Sequence, residues 1–170
     1  MIHKLFLIPL FLTLSINLFA QDFNTITVDE ETDKPMLIGY TTRDAFNDTS
    51  FSWWWNSAYN LYEFDTVTAD LIKDDLLDIN IKVVMGTWCS DSRTEVPNFY
   101  KILDEINYPS DKVTLINVNR DKVGLADEVE GLDIHFVPTF IFSKEDKELG
   151  RIVEMPYESL EKDILEILKN

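Results

Sequence analysis

Residues 81–85 (IKVVM) and 113–118 (VTLINV) are short apolar runs rich in branched side chains, with a stretch of helical periodicity between them. No other feature limits the possible folds as much as this order. Runs of this length and composition form buried strands. A helix between two such strands carries the chain back along the sheet, so the strands run parallel. The intervening helix is predicted from about Ser90 to Asn107, with Pro97 inside it removing one backbone hydrogen bond and kinking the axis. Downstream, residues 121–130 are predicted as a short helix that Gly131 ends. Residues 139–143 and 149–154 read as an antiparallel hairpin around the charged tip 144–148. Residues 159–168 form an amphipathic helix with Leu160, Ile164, Leu165 and Leu168 on one side. From residue 81 onward the order is β-α-β-α-β-β-α. This is an α/β fold with a central mixed sheet, and helices are expected on both of its faces.

The N-terminal part is less regular. Residues 21–35 are polar and acidic and read as a mobile lead-in, followed by a short strand over 36–40. Phe51, Trp55, Tyr59 and Tyr62 recur at helical spacing, and Trp53 and Trp54 broaden that face. Such a stripe is a ligand platform or part of the core, and core is the reading preferred here. Asp65 or Thr66 caps a second helix running to about Asp78, with Val67, Leu71, Ile72 and Leu76 predicted to face inward.

Residues 1–20 have the pattern of a secretory signal peptide: Lys4, an apolar run to Phe19, and Ala20 before a cut at Gln21. Leu18 is a loose match to the small residue usual three positions before the cut, and a retained anchor is the alternative. Export, to a periplasm-like compartment, is therefore expected, with no stable membrane insertion after cleavage. The formal net charge of -16 repels phosphate backbones and anionic membranes, which argues against nucleic-acid binding.

Oxidising compartments favour paired cysteines, yet this chain has a single one, Cys89. It lies in Val84-Met85-Gly86-Thr87-Trp88-Cys89-Ser90-Asp91-Ser92, where a buried strand gives way to a helix. Unpaired amides at a helix N-terminus favour the thiolate, the nucleophilic form of cysteine. Ser92, one helical turn on, could donate a hydrogen bond to that sulfur. Asp91 opposes a second negative charge, and Arg93 offsets Asp91; Asp91 is also an ordinary stabiliser of a helix start. In Phe136-Val137-Pro138-Thr139, the proline opens a strand, where a missing N–H is tolerated. His135 lies three residues before Pro138 and is either a cation near the site or a solvated loop residue. The chain lacks a glycine-rich phosphate loop, and a lone Cys–His pair is too few ligands for structural zinc. No cofactor and no metal are expected.

Taken in order, the Trp88-Cys89-x-x segment after a buried strand, Pro97 eight residues past the cysteine, and Val137-Pro138-Thr139 before the closing hairpin resemble the thioredoxin superfamily. The resemblance covers residues 66–170, preceded by an aromatic-rich helical extension over 21–65. It implies a thioredoxin-like central mixed β-sheet flanked by helices. It also implies Cys89 as the attacking cysteine, a cis Pro138 facing it, Trp88 and Val137 at the border of the substrate site, and thiol–disulfide exchange as the chemistry. The stretches 88–92 and 148–154 also look like an exported bacterial subgroup. Two departures matter. Ser92 stands at the place of the resolving cysteine, and Val83 stands where an acidic residue is expected. A single cysteine can form a mixed disulfide but cannot release its product alone. Two readings follow. One is a monothiol oxidoreductase or isomerase-like exchanger acting on exported clients, with an external thiol, on a partner protein or a small molecule, as resolver. The other is a redox-inactive module that keeps a peptide groove near Pro138. A sulfenic-acid sensor is a minor third.

Overall fold

A computed structural model describes residues 23–169. The proposed signal peptide lies outside the described residues. Twelve short elements build one sheet and its covering. Strands β1 (Thr25–Asp29) and β2 (Lys34–Thr41) form a hairpin, and a 3-10 turn at Arg43–Asn47 leads into helices α1 (Thr49–Leu61) and α2 (Thr66–Leu76). Then follow β3 (Asn80–Met85), α3 (Ser90–Glu105), a 3-10 turn at Ser110–Lys112, β4 (Val113–Asn117), β5 (Thr139–Lys144), β6 (Lys147–Val153) and α4 (Leu160–Leu168). The six strands form a mixed sheet in the order β1-β2-β4-β3-β5-β6. Only β3 and β4 are parallel, with Val83 opposite Leu115; the other neighbours are antiparallel. The expected α/β class, a central mixed sheet with helices packed against it, is the one observed.

The period of two along each strand divides the core. Leu37, Ile81, Val83, Leu115, Phe140, Phe142 and Ile152 share one cluster with residues from all four helices, among them Trp55, Ile72, Phe99 and Ile164. The other face carries a smaller cluster, Val84, Ile116, Val118 and Val137, with Tyr40, Trp88, Val129, Leu132 and Ile134 packed against it. The helices expected on both faces thus pack on one, and the segment between β4 and β5 covers the other. That segment is not the helix predicted over residues 121–130. Asn119 Oδ1 accepts from the amides of Asp121 and Val123, and Glu128 Oε2 accepts from that of Ala126, so side chains take the donors a helix would use.

Residues 25–35 likewise depart from the predicted lead-in, because they form β1, its turn and the start of β2. Asp29 closes its turn, accepting from Thr32 Oγ1 and from the Glu31 amide. The hairpin also joins the sheet, since β2 pairs with β4, so this part of the expected extension belongs to the central sheet. In α1 the aromatic face is core, as preferred: Phe51, Trp54 and Trp55 are buried, while Trp53 is exposed. In α2, Asp65 caps the start through the amides of Val67 and Thr68. The helix phase differs from the prediction: Thr68, Ala69, Ile72 and Leu76 face inward, and Val67 and Leu71 are exposed. Glu161 at the start of α4 is buried and accepts from Tyr62 Oη and the Asp65 amide, tying α4 to the α1–α2 connection.

Candidate functional site

The C-terminal end of β3 hands the chain to α3 through Gly86-Thr87-Trp88, and Cys89 is the N-cap of α3. Its amide donates to Gly86 O and its own carbonyl accepts from Arg93, the first turn of the helix. The residue is partly exposed. Its thiol donates to the Val137 carbonyl, with Sγ 3.2 Å from the oxygen. The Val137–Pro138 peptide is cis, and both residues are buried where the chain enters β5. Cys89, Trp88, Val137 and Pro138 therefore meet, although 48 positions separate the sulfur from Val137.

Trp88 forms one wall. Its Nε1–H donates to Val118 O at 2.8 Å, and its ring packs over the smaller core cluster. Gly86 is required for this pose, because a Cβ there would lie 2.5 Å from Trp88 Nε1. Thr87 is buried and accepts from the Leu37 amide, tying the site turn to β2.

Ser92 is fully buried, and its hydroxyl oxygen accepts from the Gly86 amide at 3.2 Å. Its observed role is to hold the turn under the cysteine. Asp91 sits in the first turn of α3, accepts from Ser90 Oγ, and helps push the Glu95 carboxyl up, behind the larger effect of burial. His135 is exposed and pairs with Asp133 at 3.0 Å, so its observed contact is with the loop and not with the sulfur.

Sequence reasoning named Arg93 only as an offset to Asp91 and missed Arg120 and Lys122. The half-buried Arg93 guanidinium donates to Thr87 O and lies over the Trp54 ring. Burial pushes Arg93 down, and the charges of Cys89 and Asp29 oppose that. Arg120 lies 5.0 Å over the Trp88 ring and donates to both oxygens of Asp29, at 2.8 and 2.9 Å. A third nitrogen pairs with Glu31 at 2.8 Å. Asp29 is buried, and the Arg120 hydrogen bonds hold its carboxyl far below the usual range against the opposing effect of burial. Lys122 approaches the same indole at 5.8 Å. An acidic residue is absent at Val83, as the sequence required, but the N-terminal hairpin brings another to the neighbourhood of Trp88.

The described residues also form two open grooves. One, of about 600 Å³, runs between α1 and α3 and is lined by Trp53, Trp54, Leu61, Tyr62, Arg93 and Asn98. Another, of about 610 Å³, lies beyond the end of β2 around Arg43, Tyr100 and Asp104, and none of its lining residues belongs to the cysteine site. Among the described residues no group of three or more His, Cys, Asp or Glu side chains is placed to hold a metal, and no helix is long and apolar enough to cross a membrane.

No protein-family model matches the chain. It is similar to the Thioredoxin-like protein R548 of Acanthamoeba polyphaga mimivirus, with 32% identity over 80 residues, or 47% of this chain and 56% of that protein. The chain thus spans a little over half the length of that relative. Among solved structures it is similar to a protein of unknown function from Pseudomonas aeruginosa, with a TM-score of 0.50 and 14% identity over 69% of this chain and 81% of that one. It is also similar to mitochondrial thioredoxin 3 from Saccharomyces cerevisiae, with a TM-score of 0.39 and 22% identity over 64% of this chain and 98% of that one. The Pseudomonas likeness concerns fold alone.

Proposed function

We propose that this chain is an exported, thioredoxin-like monothiol exchange protein that acts through a mixed disulfide at Cys89. The observation that carries the reading is a partly exposed sulfur at the N-cap of α3, 3.2 Å from the Val137 carbonyl beside Pro138. The thioredoxin-like name of the mimivirus relative supports it. Cys89, once it has lost its proton to solvent, attacks one sulfur of a client disulfide. The client S–S bond breaks, a Cys89–client disulfide forms, and the departing thiolate takes a proton from water. A second, external thiol then attacks the mixed disulfide and returns Cys89 to the thiol form. The two steps exchange partners, and the net electrons come from that external thiol. The exported compartment, exported clients and the bacterial subgroup with a Trp-Cys-Ser-Asp-Ser site belong to the same proposal.

The buried Ser92, engaged with Gly86, favours one competing reading, a binding module whose resolving position has become purely structural. Comparing the natural chain with Ser92→Cys, at graded concentrations of a small thiol, separates the two. Exchange by the natural chain that rises with small-thiol concentration supports the proposal. Exchange by Ser92→Cys alone makes the natural chain a trap or a binder.

A further inference from the structure

Of the four arginines, three are matched to carboxylates: Arg43 to Asp104 at 2.7 Å, Arg120 to Asp29 at 2.8 Å and Arg151 to Glu148 at 2.6 Å. Arg93 has no carboxylate partner among the described residues, although Asp+Glu 31 outnumber Lys+Arg 15 in this chain. Its Nε–H donates to Thr87 O and its guanidinium lies 5.9 Å from the Trp54 ring. No other protein acceptor engages it among the described residues. A half-buried cation has lost part of its hydration, and a planar guanidinium is shaped to take a carboxylate on two parallel N–H groups. The chain itself does not supply that carboxylate.

Arg93 lines the groove of about 600 Å³ between α1 and α3. Trp53 and Leu61, both exposed, stand eight positions apart on one face of α1 and give the groove an apolar wall. Eight residues of helix rise about 12 Å, the reach of about four residues of extended chain. From α3, Thr94 and the buried Asn98 add polar groups. A mostly apolar cleft with a few placed polar groups is the make-up of a ligand site. Glu63, the acidic residue of the lining, is exposed and leaves Arg93 unpaired. The amide of Arg93 donates to Cys89 O, so this cation stands one helical turn past the cysteine.

We propose that the α1–α3 groove docks an extended peptide segment that carries an acidic residue beside a large apolar one. The peptide carboxylate forks onto Arg93, and the apolar side chain lies against Trp53 and Leu61. Charge complementarity selects this occupant: an uncompensated cation beside an apolar wall calls for one carboxylate joined to one apolar group. The length of the wall fits a few residues of extended chain. The proposal goes beyond the exchange reading, since the groove holds a peptide whether or not Cys89 reacts.

The test is a calorimetric titration of the purified chain with a cysteine-free, end-capped peptide in which glutamate adjoins phenylalanine. A second peptide has glutamine in place of the glutamate. The natural chain is expected to bind the glutamate peptide about five- to tenfold more tightly than the glutamine one. Arg93→Gln is expected to bring the two affinities within about twofold of each other by weakening only the glutamate peptide. Trp53→Ala alters an exposed side chain, which spares the core, and is expected to weaken both peptides by about threefold or more. This arm and the selectivity of the natural chain decide the matter even where Arg93→Gln does not fold. No binding of the glutamate peptide, equal affinity for both peptides, selectivity that survives in Arg93→Gln, or an inert Trp53→Ala overturns the proposal. Self-association of the natural chain that Trp53→Ala abolishes also overturns it, because a second copy then fills the groove. Peptide binding without a mixed disulfide at Cys89 removes only the exchange reading, and a mixed disulfide without peptide binding removes only the groove.

Discussion

Replacing Gly86 with alanine puts a methyl group 2.5 Å from Trp88 Nε1, 2.6 Å from Cε2 and 3.0 Å from Cζ2. The indole ring is rigid and its far side rests on the smaller core cluster, so it must tilt as a body. Tilting breaks the Nε1–H bond to Val118 O, which costs about 1 kcal/mol. Forcing a side chain out of a packed site adds about 1–3 kcal/mol. Gly86→Ala should therefore destabilise by about 2–4 kcal/mol, a fall of roughly 5–15 °C in melting temperature for a domain of this size. Thermal unfolding followed by circular dichroism measures this, and the near-ultraviolet signal should change with it as the indole environment shifts. A melting temperature within about 1 °C of the natural chain, with an unchanged near-ultraviolet spectrum, would refute the claim that Gly86 is there to seat Trp88.

Two further predictions concern pH. Asp29 is held ionised by Arg120, with its carboxyl well below the usual range, so its stabilisation is complete above the unfolded carboxylate pKa and is lost as pH falls through the folded one. The stability gap between the natural chain and Asp29→Asn, measured by urea unfolding, should shrink as pH is lowered below about 4; a constant gap would show that the pair does not titrate with folding. On the alkaline side, burial raises the Tyr62 hydroxyl, which also donates to the buried Glu161. The unfolded chain then loses that proton first, so stability falls as pH rises past about 10. Tyr62→Phe should lose less stability than the natural chain between about pH 9 and 11, and parallel losses would rule out this contribution.

The strands were legible where local composition decides the outcome. The branched run ending in Met85 has no other stable use than a buried strand, and Ser159 and Asp65 cap their helices by contacts within three residues. The seating of Cys89 near Pro138 was legible only through the order of motifs, since no local rule relates positions 48 apart. Three failures have a common cause. Val67 and Leu71 were assigned inward because they are apolar, but the facing partner sets the phase of α2, and Thr68 and Ala69 won the inner face. The 121–130 segment has helical composition, yet Asn119 and Glu128 capture its amides. The hairpin of residues 25–41 was hidden by its charge: Asp29 looks like surface until Arg120, 91 residues away, neutralises it. The same long-range pairing kept Arg120 out of the list of candidate site residues. A serine at position 92 read as a partner for sulfur, and its burial under Gly86 became evident only in three dimensions.

The most direct test of exchange at Cys89 is the intact mass of the purified chain after incubation with a small oxidised disulfide. The account predicts one adduct per chain, located at Cys89, released by an added thiol and missing from Cys89→Ala. A natural chain that keeps its unmodified mass through prolonged incubation with excess disulfide would contradict it.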